Sequence, residues 1–100
     1  MIDNMYAVFE VDSEKFDLIQ DVLSDELVSR QTTSIRDGKS LGMREDVNYF
    51  MVEGSEEAVE KAIGLFSEEG VEQAENAEEV KKAIEEEDQA AAQGMGTVFG

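Results

Sequence analysis

From Met5 to Val11 the side chains alternate between two faces. Met5, Ala7, Phe9 and Val11 point one way and Tyr6, Val8 and Glu10 the other, the period-two pattern of a strand. Asp12 or Ser13 can cap the helix that follows. Its apolar positions, Phe16, Ile19, Leu23 and Leu27 flanked by Leu18 and Val22, recur at helical spacing. Asp17, Asp21 and Asp25 form its solvated stripe. Val28 to Arg36 is strand-like but polar, as suits a sheet edge. Asp37-Gly38 is a two-residue turn signal, because Gly accepts positive φ. Lys39 to Asp46 reads equally as a continued hairpin or as a loop. Val47 to Glu53 is a second apolar strand, interrupted by Asn48. Gly54 lets the chain turn, and Ser55 caps a helix from about Glu56 to Glu69 with the stripe Val59, Ala62, Ile63 and Phe66. Gly70 fits the left-handed position that ends a helix. Val71 to Ala74 reads as a short polar strand. Asn76 and Glu79 pair as a capping box for a third helix to about Ala91, with the stripe Ala77, Val80, Ala83 and Ile84. Residues 89–100 carry no charged side chain, and Gly94, Gly96 and Gly100 predict a flexible tail over 94–100.

The order of strand, helix, strand, strand, helix and strand resembles the ferredoxin-like split βαβ arrangement over residues 5–75. That resemblance implies an α+β fold, with a βαββαβ antiparallel sheet carrying two helices on one face. The polarity agrees, since strands one and three are apolar, as central strands should be, and strands two and four are polar, as edges should be. The expected organisation is a single domain over 1–93, with its core sandwich at 5–75 and an added C-terminal helix at 76–93, followed by the tail. Element order and length also resemble small regulatory domains of the amino-acid-binding ACT type. Those domains carry a Gly-containing turn between the first strand and helix, where an effector docks; here the turn reads Asp12-Ser13-Glu14-Lys15 without a Gly. The resemblance implies the architecture and a habit of pairing through sheets.

Both helices on one face would leave the other face open. Tyr6 and Val8 would sit there beside Tyr49 and Met51, forming an apolar patch that rarely stays wet. Three covers are open to it: the third helix, laying down Val80 and Ile84; a second copy of the domain; or a ligand or protein partner. Aromatic residues at comparable positions serve RNA-recognition domains, a use that the charge of this chain opposes.

Charge changes the picture most. Eight cations stand against 25 carboxylates, a formal net charge of -17. Nucleic acid and anionic membrane surfaces need the opposite sign and are excluded as partners. No apolar run approaches the length of a membrane-spanning helix, about 20 residues, and Met1-Ile2-Asp3-Asn4 lacks the start of a signal peptide, so a cytoplasmic location is expected. Cys and His are both absent. That removes disulfides, thiolate chemistry, Ser-His and Cys-His catalysis and the commonest transition-metal ligand.

Candidate chemistry is sparse. Residues 30–44 hold Arg30, Arg36, Lys39 and Arg44 against Asp37 alone, a local +3. Arg36, Lys39 and Arg44 are therefore candidates for an anion-binding loop. Gly38-Lys39-Ser40 is not a phosphate-binding P-loop, because Thr33 stands where the first Gly is required. No segment matches the EF-hand pattern, and Glu85-Glu86-Glu87-Asp88 on a helix cannot converge on one ion. No cofactor is expected, and no metal-binding residue set stands out. The reading is a non-enzymatic regulatory or assembly module acting through the sheet face Tyr6, Val8, Tyr49 and Met51, with a homodimer or a protein as partner. Its alternative is a Ca²⁺- or Mg²⁺-binding protein that holds divalent cations weakly on surface carboxylates.

Overall fold

The computed structural model describes the backbone of residues 5–99 and the side chains of residues 5–88. Three strands make one antiparallel sheet: β1 Met5–Asp12, β2 Thr32–Asp37 and β3 Val47–Gly54, in the order β1-β3-β2. Val8 lies opposite Met51, Phe9 opposite Phe50, and Arg36 opposite Tyr49. Four helices accompany the sheet: α1 Phe16–Leu23, α2 Glu26–Ser29, α3 Glu56–Glu68 and α4 Ala77–Phe99.

The strand alternation sorts the core into two layers. Ala7, Phe9 and Val11 of β1 and Phe50 and Val52 of β3 pack with Ile19 and Val22 of α1, Val28 of α2, and Val59, Ala62 and Phe66 of α3. The Phe9 and Phe66 rings stack with centroids 4.3 Å apart. Val8, Val47, Tyr49 and Met51 form a second cluster on the opposite face, with Val80 and Ile84 of α4. Of the three covers open to that face, the third helix is the one observed.

Local chemistry explains where the elements begin and end. The first helix does not run unbroken to Leu27. Asp25 accepts from the Leu27 and Val28 N–H groups at 3.0 and 3.2 Å, so it caps a new short helix and the chain breaks at Ser24. Val28 is thereby helical and buried, and β2 starts at Thr32. Ser55 caps α3 by accepting from the Ala58 N–H at 3.2 Å. Gly70, at φ 80°, closes α3. Val71 N–H reaches Phe66 O and Gly70 N–H reaches Ser67 O, the paired bonds of a left-handed helix stop.

Three expectations are corrected. Asp37-Gly38 does not close a two-residue hairpin, because Gly38 lies at φ -57° and starts a one-turn 3-10 helix at Lys39–Leu41. Lys39 to Asp46 is thus turn and loop rather than strand. The fourth strand is reduced to one bridge between Phe9 and Gln73, with the Ala74 N–H donating to Val8 O at 2.7 Å. Only six residues separate Gly70 from Ala77, which leaves little room for a ladder. The backbone is helical to Phe99 where a tail was expected over 94–100; Gly100 lies outside the described residues. Ala90, Ala91 and Ala92 are strong helix formers that offset the cost of Gly94 and Gly96, about 1 kcal/mol each.

Candidate functional site

Strand alternation puts Tyr6, Val8, Tyr49 and Met51 on one face, and α4 lies across it. Val8, Tyr49 and Met51 are buried and Tyr6 is half-buried. Among the described residues Val80 and Ile84 supply the cover's fully buried side chains, with Ala77, Leu41, Met43 and Ala74 packed beside them. Full burial of each large side chain contributes about 1.5–3 kcal/mol.

Ion pairs also fasten α4 between Lys81 and Asp88. Arg36 Nε donates to Glu87 Oε1 at 2.5 Å, and Nη2 donates to Asp88 Oδ1 at 2.8 Å. Lys81 Nζ lies 3.7 Å from Glu53 Oε2 and 3.1 Å from Glu85 Oε2, and it sits 5.0 Å from the centre of the Tyr6 ring. The hydrogen bond from Lys81 to Glu85 is the largest influence holding the Lys81 pKa above its usual value. Pairs this exposed contribute about 0–1 kcal/mol each and weaken in salt.

A hydrogen-bonded chain runs from the buried face to the surface. Tyr49 Oη donates to Glu10 Oε2 at 3.0 Å, and Arg44 Nη1 donates to Glu10 Oε1 at 2.7 Å. Burial first, and then the Glu10 carboxylate, push the Tyr49 hydroxyl above its usual pKa. It is therefore a neutral donor at pH 7, not a base. Both Glu10 oxygens are thus engaged, one by Tyr49 and one by Arg44. The Asn76 amide donates to Met43 Sδ at 3.7 Å, while its backbone carbonyl accepts from the Val80 N–H at the start of α4. These residues line a cleft of about 800 Å³ whose remaining wall is residues 70 and 72–75, with Glu72 and Glu75 among them.

The three residues expected to form an anion loop have different surroundings. Arg36 is engaged by α4, and Arg44 is engaged by Glu10 and by Asp46, the latter at 3.5 Å. Lys39 is exposed and makes no ion pair among the described residues. Among the described residues, no three acidic side chains converge on a metal position, and no helix is long and apolar enough to cross a membrane. Sequence reasoning placed Glu10 on the open face but missed its partners. The signal was available, because antiparallel pairing puts Glu10 directly opposite Tyr49. The reach of Arg44 and Asn76 from their loops carried no comparable signal. No family model, curated protein or solved structure matches the chain.

Proposed function

We propose that this protein is a small, acidic, non-enzymatic regulatory or assembly module of ferredoxin-like design, working in the cytoplasm through the sheet face of Tyr6, Val8, Tyr49 and Met51. In this reading residues 71–74 stand in the place of the fourth strand. Helix α4 is the resident occupant of the face, and a protein partner is the alternative occupant.

One observation carries the proposal. A continuous apolar sheet face lies under α4, which among the described residues commits Val80, Ile84 and a set of salt-sensitive ion pairs to it, with Leu41, Met43 and Ala74 packed beside them. Among the described residues the opposite face keeps its own twelve-residue core, which does not involve α4. Lifting α4 therefore uncovers one face without dismantling the other. The divalent-cation reading has no such geometry behind it, since the carboxylates of the described residues do not gather.

Native-state hydrogen exchange tests the proposal. The amides of residues 80–88 should exchange through a local opening at least ten times faster than those of Phe9, Phe50 and Val52, and the gap should widen with salt. Exchange of all these amides at one rate, through global unfolding alone, would rule out a displaceable cover.

A further inference from the structure

The outer edge of β2 is open, since β2 pairs only with β3. Gly38 N–H donates to Val47 O at 2.9 Å, so positions 38 and 47 face each other as a hydrogen-bonded pair. By alternation Thr32, Ser34 and Arg36 turn their backbone groups toward β3, and Thr33, Ile35 and Asp37 turn theirs outward. Among the described residues no backbone group pairs with these outward N–H and C=O groups. Two side chains do: Arg36 Nη1 donates to Ile35 O at 3.1 Å and Ser40 Oγ donates to Asp37 O at 2.8 Å, which leaves each carbonyl a second lone pair. The edge lacks the usual safeguards. It has no Pro, and no charged residue lies between Thr32 and Ile35.

We infer that β2 pairs antiparallel with β2 of a second copy about a two-fold axis at Ser34, joining the two sheets into one of six strands. Outward groups must meet outward groups, so registers shift in steps of two. Centring on Ser34 sets Thr33 opposite Ile35 of the second copy, Thr32 opposite Arg36, and Gln31 opposite Asp37. No like charges then stand opposite each other, and β-branched residues pair at the centre. Of the two neighbouring registers, one sets Arg36 opposite Arg30, and the other, centred on Ile35, sets Asp37 opposite Thr33 and so carries it away from Arg30 of the second copy. The chosen register also sets the exposed Asp37 of each copy opposite Gln31, next in sequence to the exposed Arg30, which in its own copy pairs with Glu26. Four of the eight cations lie between residues 30 and 44, so this edge is where two copies of net charge -17 repel least. The inference uses a different surface from the face under α4 and does not depend on release of that helix.

Light scattering on the full chain across a concentration and salt series tests it. The mass should double as salt screens the repulsion. Thr33→Pro removes an outward N–H that the monomer does not use, and Pro is tolerated at such an edge position. This variant should stay monomeric at every salt concentration while keeping the wild-type circular dichroism. Asp37→Arg should also be monomeric, and adding Arg30→Asp should restore the dimer. A wild-type chain that is monomeric throughout, or a Thr33→Pro chain that still dimerises, overturns the inference.

Discussion

Tyr49 and Gly38 show how much rests on single contacts. Tyr49 is 1% exposed and spends its one donor on Glu10. Tyr49→Phe should therefore cost about 0.5–1.5 kcal/mol, the net worth of a typical hydrogen bond, read from urea midpoints at pH 7. The same variant should change the alkaline limb. With a folded-state pKa raised above its unfolded value near 10, Tyr49 contributes stability in full below about pH 10 and loses it as pH rises further. Lys81 acts in the same direction. Tyr49→Phe should accordingly flatten the fall in stability above about pH 10, measured by melts across that range. Gly38 is required by close approach rather than by its φ. A Cβ there would meet the Arg44 carbonyl oxygen at 1.9 Å, an atom of the backbone. At Gly54 the added carbon would meet only the end of the Gln31 side chain, at 2.1 Å. Gly38→Ala should cost about 1–3 kcal/mol, as overpacking does, and Gly54→Ala clearly less; thermal melts of the pair check the order.

Elements are governed by caps and by what lies across from them. Ser55→Ala should lower stability by about 1 kcal/mol, the usual worth of a helix cap, in denaturant unfolding. Asp25 serves α2 in the same way and also holds Lys61 at 2.9 Å. The Lys61 ammonium, and then the Val28 N–H, hold its carboxyl below the usual range. Its contribution is thus present above about pH 4 and lost as pH falls through the folded-state value. Asp25→Ala should shift the acid unfolding midpoint to higher pH. Both strand faces were legible from alternation, because Phe9 and Tyr6 had to part at a pleat. Helix α3 was legible to within a residue, since Ser55 and Gly70 punctuate it. The break at Ser24 was hidden, because the apolar stripe continues through it and only the capping geometry of Asp25 decides. The loop after Asp37 was misjudged for a related reason: Gly38 looked like a positive-φ turn residue, and its true constraint, the Arg44 backbone, is six residues away. The candidate site was half legible. Tyr6, Val8, Tyr49 and Met51 share a face by parity, whereas Arg36 as a clasp for α4 depends on a contact 51 residues distant.

At the scale of the whole molecule, charge sets the working conditions. With -17 formal charges on 100 residues, self-repulsion opposes both compaction and association. Moving from about 0.01 M to about 1 M salt shortens the screening length from about 30 Å to about 3 Å. The melting temperature should rise over that range, because the long-range repulsion lost outweighs the few exposed ion pairs weakened. A falling melting temperature would mean that pairs such as Arg36 with Glu87 and Asp88 dominate instead.

The distribution of aromatic rings between the two layers gives the molecule a built-in optical division. Trp is absent. Both tyrosines lie on the α4 side of the sheet, while Phe9, Phe50 and Phe66 cluster on the other. Near-ultraviolet circular dichroism senses fixed packing around each ring, so the tyrosine band reports the seating of α4 and the phenylalanine fine structure reports the opposite core. A tyrosine signal that fades while the phenylalanine structure persists would be the spectrum of a sheet uncovered on one side only.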